Sequence, residues 1–437
     1  MIVAERPGHK AVTKVTLRGW SIWTAAALFY LYEFFLRAAP SSMTPELQRN
    51  FHLDAAAFAT AAGGFYYWIY SPIQLVAGSM MDRFGAKVVL VPAALICTLG
   101  CFLETMGHSM FWLCAARFCQ GLGSAFAFVG TMYLAAEWFP QSMLGRLSGL
   151  TTALGMMGAI IGNAGIAWVV TTLGWKIALV VGGFVGVLVT FLLYVVVPFD
   201  APWRKTQAEK AALPRGPGLL RALLITYSNP QSWYAGIAGM ALYMPLAMLG
   251  LWGVEYLVAV TGGSKEDCAG AISMLYVGWL FGGPIAGWYS DRTGLRRNLL
   301  LGAGIATLIT TLGVAFIPHI TVSTAYLIML LLGLASTSQV VCFVTAMEHN
   351  PPAVAGTAIA ATNMIIMLGG GAGETAFGFA LEWFAPGHKG HGNYPIEAFH
   401  KAFLLLPVVV AVGVVAAYLL KEASRKKEIP AGPEAIV

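Results

Sequence analysis

Apolar runs of membrane length recur along this chain, and no other feature constrains its fold as tightly. A helix needs about 20 predominantly apolar residues to cross the hydrocarbon of a bilayer. Twelve segments meet that length: 18–44, 55–81, 86–106, 109–138, 145–171 and 176–198, then 232–260, 266–290, 297–317, 321–347, 354–384 and 398–420. They read as helices, because an open strand leaves its backbone unpaired in lipid and no ten-residue alternation occurs. Composition closes off the soluble alternative. Only 11% of the 437 residues are charged, against about 25% in a soluble domain. The expected class is therefore all-α and integral to a membrane.

Charge placement sets the expected topology. Arg83, Lys87, Arg146, Arg204, Lys205, Lys210, Arg215, Arg292, Arg296 and Arg297 fall on the side of both tails, and the opposite loops hold fewer bases. Both termini should then be cytoplasmic. The segment PFDAPWRKTQAEKAALPRGPG is rich in proline, glycine and charge, and reads as a linker that includes a surface helix. The expected organisation is an N-terminal tail 1–17, a six-helix bundle 18–198, a cytoplasmic linker 199–231, a second bundle 232–420 and a tail 421–437. A net charge of +6 fits topology and implies no nucleic-acid partner. The six cysteines form no CxxC pair, so neither a disulfide framework nor a metal site is expected. The polar start lacks a short apolar region with a small-residue cleavage site, so a removable signal peptide is not expected.

The two halves repeat. GSMMDRFGAK begins at Gly78 and GWYSDRTGLRR at Gly287, an offset of 287 − 78 = 209. The same offset carries Asp82, Arg83 and Gly85 onto Asp291, Arg292 and Gly294, and Tyr67 and Tyr70 onto Tyr276 and Trp279. An offset of 211 carries Glu137 and Pro140 onto Glu348 and Pro351, and Asn163 onto Glu374. Parallel duplication of six helices is a pattern of alternating-access carriers.

The doubled G-x-x-x-D-R-x-G-[RK] signature resembles the major facilitator superfamily, and the likeness covers essentially the whole chain. The resemblance implies a twelve-helix carrier whose halves rock around a central site. By their own chemistry, Asp82 and Asp291 sit at helix ends beside Arg83 and Arg292. There a carboxylate can meet a helix N-terminus or a base and close one side of the molecule. The alternative is that these charges only set topology. Gly78 and Gly287 are expected to permit close helix approach. ARFCQGLG, Arg117 to Gly123, resembles a second superfamily motif found in proton-coupled members. Arg117 is deep in an apolar run, so it couples protons or substrate, or else bonds backbone carbonyls in a structural role.

Further ionisable and polar groups sit inside the runs. Glu33 and Arg37 lie four residues apart and share a helix face with Tyr30, in the favourable acid-first order. They point inward as cavity groups, or pack as a self-neutralised pair, or let Arg37 reach the interface. Tyr66, Tyr70 and Gln74 offer hydrogen bonds at successive turns, with core packing as the alternative. Asn163 and Glu374 occupy matched places in two glycine-rich helices. Tyr243, Trp252, Tyr276, Trp279 and Gln339 are further candidates from the second half.

The reading these residues support is a proton-coupled secondary carrier in an inner membrane. It would act as a symporter importing a small polar organic solute such as an amino acid, peptide or carboxylate. Glu33, Glu374 and Arg117 are the proton-coupling candidates. Uptake of an iron chelate, export of an organic compound, and a receptor or assembly subunit without turnover stay open. No Walker A, HExxH or GxSxG sequence occurs, so neither ATP use nor enzymatic chemistry is expected, nor any cofactor. The expected partners are substrate, proton and lipid, with the chain acting as a monomer.

Overall fold

The computed structural model describes residues 15–199, 217–316, 320–386 and 394–422; the side chain of Asp82 is outside the described set. The two tails, 1–14 and 423–437, and linker residues 200–216 likewise lie outside it. Helices dominate, and no strand occurs among the described residues. Twelve are long: α1 Leu17–Ala38, α2 55–84, α3 Ala86–Met106, α4 Met110–Trp138, α5 141–173, α6 Trp175–Val196, α7 Pro230–Thr261, α8 Lys265–Thr293, α9 Arg296–Phe316, α10 Val322–Glu348, α11 Ala355–Phe384 and α12 Ile396–Leu419. Ten of them, α3 to α12, are long and apolar enough to cross a membrane. The other two match them in length, and polar groups interrupt their apolar runs: Glu33 and Arg37 in α1, and Tyr66, Tyr67, Tyr70 and Gln74 in α2.

Local chemistry fixes the helix ends. Thr16 caps α1 by accepting from the Gly19 amide at 3.0 Å. Ser264 opens α8, accepting from the Asp267 amide at 3.0 Å and donating to its carboxylate at 2.8 Å. α2 stops at Gly85 (φ 90°) and α8 at Gly294 (φ 68°), backbone states that glycine adopts without strain. These are the matched glycines of the repeated motif. The first apolar run is shorter as a helix than its sequence suggests. Pro40 has no amide to donate, so α1 ends at Ala38 and a 3₁₀ turn, Ala39–Met43, leads into a short helix, Thr44–Phe51. In the linker region, the described part holds one short helix, Leu219–Tyr227.

Packing follows small residues inward and apolar residues outward. Backbones come together at Gly121, where a Cβ would strike the Tyr66 carbonyl, and at Gly333, where one would strike the Leu275 carbonyl. The outward faces expose Phe184, Leu188, Phe191, Phe281, Trp288 and Val412. That is the inverse of a soluble protein and suits hydrocarbon as solvent. α2 runs antiparallel to α11, with Ala55 beside Gly378, Gly63 beside Glu374, Tyr67 beside Gly371 and Gln74 bonded to Asn363. α5 packs against α8 in the same fashion. These two seams join the helices before the linker to those after it.

At Gly78 and Gly287 a Cβ would meet no described atom within 4 Å, so no helix packs on either face in this conformation. The end of the molecule away from these motif glycines is drawn together instead. There Lys265 donates to Glu46 at 2.8 Å, and Glu382 accepts from the Ala55 amide at 2.9 Å.

Candidate functional site

Two helices hold a π turn within their length. α2 holds a π turn at Ala59–Gly64 and α5 one at Ile161–Gly165. Such turns re-aim side chains and recur at functional sites. Gly63 lies in the first, and a Cβ there would run into the Glu374 carboxylate. Asn163 lies in the second, its amide donating to the Tyr276 hydroxyl at 3.4 Å while its Oδ1 is buried without a partner.

Glu33 and Arg37 form an ion pair one helical turn apart, with Glu33 fully buried. Tyr66 donates to the same carboxylate oxygen at 2.8 Å. The other oxygen, Oε2, has no hydrogen bond, and neither has Arg37 Nε. Arg37 also donates to the Tyr243 hydroxyl at 3.3 Å, and that hydroxyl shares a 2.9 Å bond with Tyr67. Its guanidinium lies over Phe34 at 4.5 Å and Tyr70 at 4.8 Å. Aromatic faces stabilise a cation while leaving its in-plane donors available.

Arg37, Tyr67, Tyr243, Tyr276 and Glu374 line one small cavity, to which both halves contribute. The cavity offers about 20 Å³, room for a water and little more. The conformation is closed around its centre. Glu374 is 4% exposed, and among the described residues its carboxylate has no hydrogen-bond donor. A carboxylate in such surroundings is costly as an ion unless a base or substrate balances it.

Arg117 is held differently. It donates to the backbone carbonyls of Ala62 and Leu36, the latter at 3.0 Å, and to Gln120 Oε1 at 2.7 Å. This is the geometry of the structural alternative in the sequence reading. Gln120 passes the contact on, donating to Glu104 Oε2 at 3.1 Å. Arg117 also stands over the Tyr66 ring at 4.7 Å.

The remaining candidates divide. Tyr70 stacks on Tyr66 beneath Arg37, at 5.8 Å. Tyr30 packs on Phe34 and Phe128, away from the cavity. Gln74 is bonded to Asn363 across the α2–α11 seam. Trp279 gives its N–H to Ser336 at 2.9 Å and packs edge-on against Tyr243. Trp252 is core, wedged between Phe58 and Phe377. Gln339 is buried off the cavity, its Nε2 without a partner. In the second motif copy Asp291 meets Arg296 at 3.4 Å, and Arg296 grips Glu348 through two 2.6 Å bonds. Arg83 is exposed, and Arg292 stands over Trp288 at 5.5 Å. The sequence reading passed over Tyr67, Glu104, Gln120 and Asn363. Only Tyr67 left a signal, as the repeat partner of Tyr276.

The Major Facilitator Superfamily model matches residues 23–374. The chain belongs to that superfamily. Among curated relatives it is 29% identical to "Uncharacterized transporter YybO" of Bacillus subtilis over 48% of this chain and 46% of that protein. It is 27% identical to "Membrane sensor protein UhpC" of Escherichia coli over 65% of this chain and 67% of that one. It is 29% identical to "Probable galactarate/D-glucarate transporter GudP" of Bacillus subtilis over 42% of each. The chain thus spans from under half to two thirds of these relatives. A crystal structure of a D-xylose-proton symporter superposes with a TM-score of 0.72 over 93% of this chain and 98% of that one, at 17% identity, a likeness of fold alone. Membership makes this a multi-pass membrane protein of a transporter superfamily, and it carries no enzymatic expectation.

Proposed function

We propose that this superfamily member is a proton-coupled carrier of a small organic carboxylate, working by alternating access. All twelve long helices would span an inner membrane, with both termini cytoplasmic and segments 18–198 and 232–420 rocking about the central cavity. The observation that carries the reading is that Arg37 of the first half and Glu374 of the second line one cavity. Arg37 is the one base among the lining residues, and its aromatic surround leaves donors for an incoming carboxylate. Glu33 holds Arg37 in place, and the unbonded Nε of Arg37 is the donor left for substrate.

Charge balance indicates the proton carrier. Buried Glu33 is matched by Arg37, and Glu104 reaches Arg117 through Gln120. Glu374, the one acid among the residues lining the cavity, has no hydrogen-bonded base. A substrate carboxylate beside Arg37 would place a second negative charge near Glu374 in a dry cavity, so both cannot remain ionised. Loading therefore takes one proton onto Glu374 with each substrate molecule, and release on the other side returns it. The sugar carboxylates in GudP's name fit this chemistry.

Proteoliposome transport of organic acids under an imposed pH gradient tests the cycle. Glu374→Gln should abolish proton-driven accumulation yet retain substrate exchange across the bilayer, because the amide mimics the loaded state. Arg37→Gln should lose both. Full gradient-driven accumulation by Glu374→Gln would sink the assignment. UhpC's name as a membrane sensor supports a second reading, a receptor without turnover. Saturable ligand binding with no flux in the wild type would select it.

A further inference from the structure

The first half buries a carboxylate that this cycle leaves idle. Glu104 stands near the end of α3, 1% exposed, with Oε2 accepting from Gln120 and Oε1 without a hydrogen bond. Gln120 presents its carbonyl to Arg117 and its amide to Glu104. That orientation needs a donor on one side and an acceptor on the other, which a cation and a carboxylate supply. The backbone carbonyls of Ala62 and Leu36 satisfy the donors of Arg117 but carry no net charge to balance it. Glu374 on the cavity also feels the charge of Arg117 but is not hydrogen-bonded to it, and the bonded oxygen of Glu33 already serves Arg37 and Tyr66.

We infer that Glu104 is the counter-charge and positioning residue of Arg117, acting through Gln120. The consequence rests on the proton cycle above: with Arg117 partly neutralised from behind, its pull on the cavity carboxyl is reduced and Glu374 exchanges its proton more readily. Gln120 and Arg117 of α4 face Glu104, and Cys101 lies one turn away on α3, bonded to Tyr32 of α1 at 3.3 Å. No described charge is hydrogen-bonded directly to this carboxylate.

The test compares Glu104→Gln, Arg117→Gln and the double variant by thermal unfolding in detergent and by the pH profile of transport. In Glu104→Gln the uncompensated Arg117 should favour the ionised cavity carboxyl, moving the midpoint of transport by about one pH unit to the acid side. The double variant should return it close to the wild-type position. Each single variant should unfold at lower temperature than wild type, and the double should lose less than the sum. Failure of Glu104→Gln to fold, with the double variant folding, gives the same support. Coupled unfolding with an unmoved pH midpoint upholds the Glu104–Arg117 partnership and defeats the proton cycle instead. Additive unfolding shifts, or a double variant that fails where Arg117→Gln alone folds, overturns the inference.

Discussion

Tyr243 gives the sharpest perturbation of the closed cavity, because one hydroxyl there joins the two halves twice. It belongs to α7 of the second half, is 3% exposed, accepts from Arg37 at 3.3 Å and shares a 2.9 Å bond with Tyr67. Tyr243→Phe keeps the ring that packs against Trp279 and Tyr67 and deletes only the oxygen. A hydrogen bond to a charged group contributes about 1.5–3 kcal/mol net and a neutral one about 0.5–1.5. The Arg37 bond is long, which places it at the low end, so the two together hold the closed state by about 2–3 kcal/mol. At about 1.4 kcal/mol per tenfold, the variant should shift the balance toward separated halves by roughly 30- to 100-fold. Spin labels replacing the exposed Arg49 and Asp267, one on each half, would report this as a new long-distance population in pulsed dipolar spectroscopy. A distance distribution identical to wild type, in a folded Tyr243→Phe protein, would refute the claim that this hydroxyl latches the halves.

Two further outcomes follow from the ends of the molecule. Gly294→Ala forces alanine to a φ of 68° and should cost about 1–2 kcal/mol. Gly85→Ala, at φ 90° and ψ 151°, should cost about 1–3 kcal/mol. Both should unfold at lower temperature in detergent than Gly78→Ala, whose Cβ meets no atom within 4 Å, and equal losses at all three would show that backbone conformation is not the cause. The Lys265–Glu46 pair is partly exposed and joins the halves, so it should be worth only about 0.2–1 kcal/mol. Lys265→Glu should loosen that end, seen as faster alkylation of a cysteine placed beside it, and Glu46→Lys with Lys265→Glu should restore the wild-type rate.

The spans were legible because their signal is collective. Some twenty apolar side chains decide each one, and a single misplaced residue moves an end by only a turn. Pro40 shows the limit of such averaging, since one missing amide ended α1 inside an apolar run. Within the site, relations local to one helix could be read, and relations between helices could not. Glu33 and Arg37 share a face by their spacing alone, and the structure pairs them. What faces Arg117 depends on where α1 and α2 cross α4, so the carbonyls of Leu36 and Ala62 left no trace in the sequence. Glu104 was hidden for a related reason. An acid near the end of a span ordinarily reaches interfacial water, and only the packing of α3 on α4 buries it against Gln120.

The glycines carry the same lesson into the mechanism. Glycine states that a backbone can be approached, not that it is approached in every conformation. Gly121 and Gly333 are filled by neighbouring carbonyls within one half, in contacts that a rigid bundle keeps throughout. Gly78, Gly149, Gly287 and Gly356 have no atom within 4 Å, and they sit on α2, α5, α8 and α11, the four helices that form the two seams. The repeated motif stands at the same end. At the opposite end of those seams the halves meet through Glu46, Lys265, Ala55 and Glu382. Hydrogen bonds draw the halves together at one end and unoccupied glycine faces leave clearance at the other. A rocking motion that closed the motif end would therefore find a glycine with a clear face on each of the four seam helices.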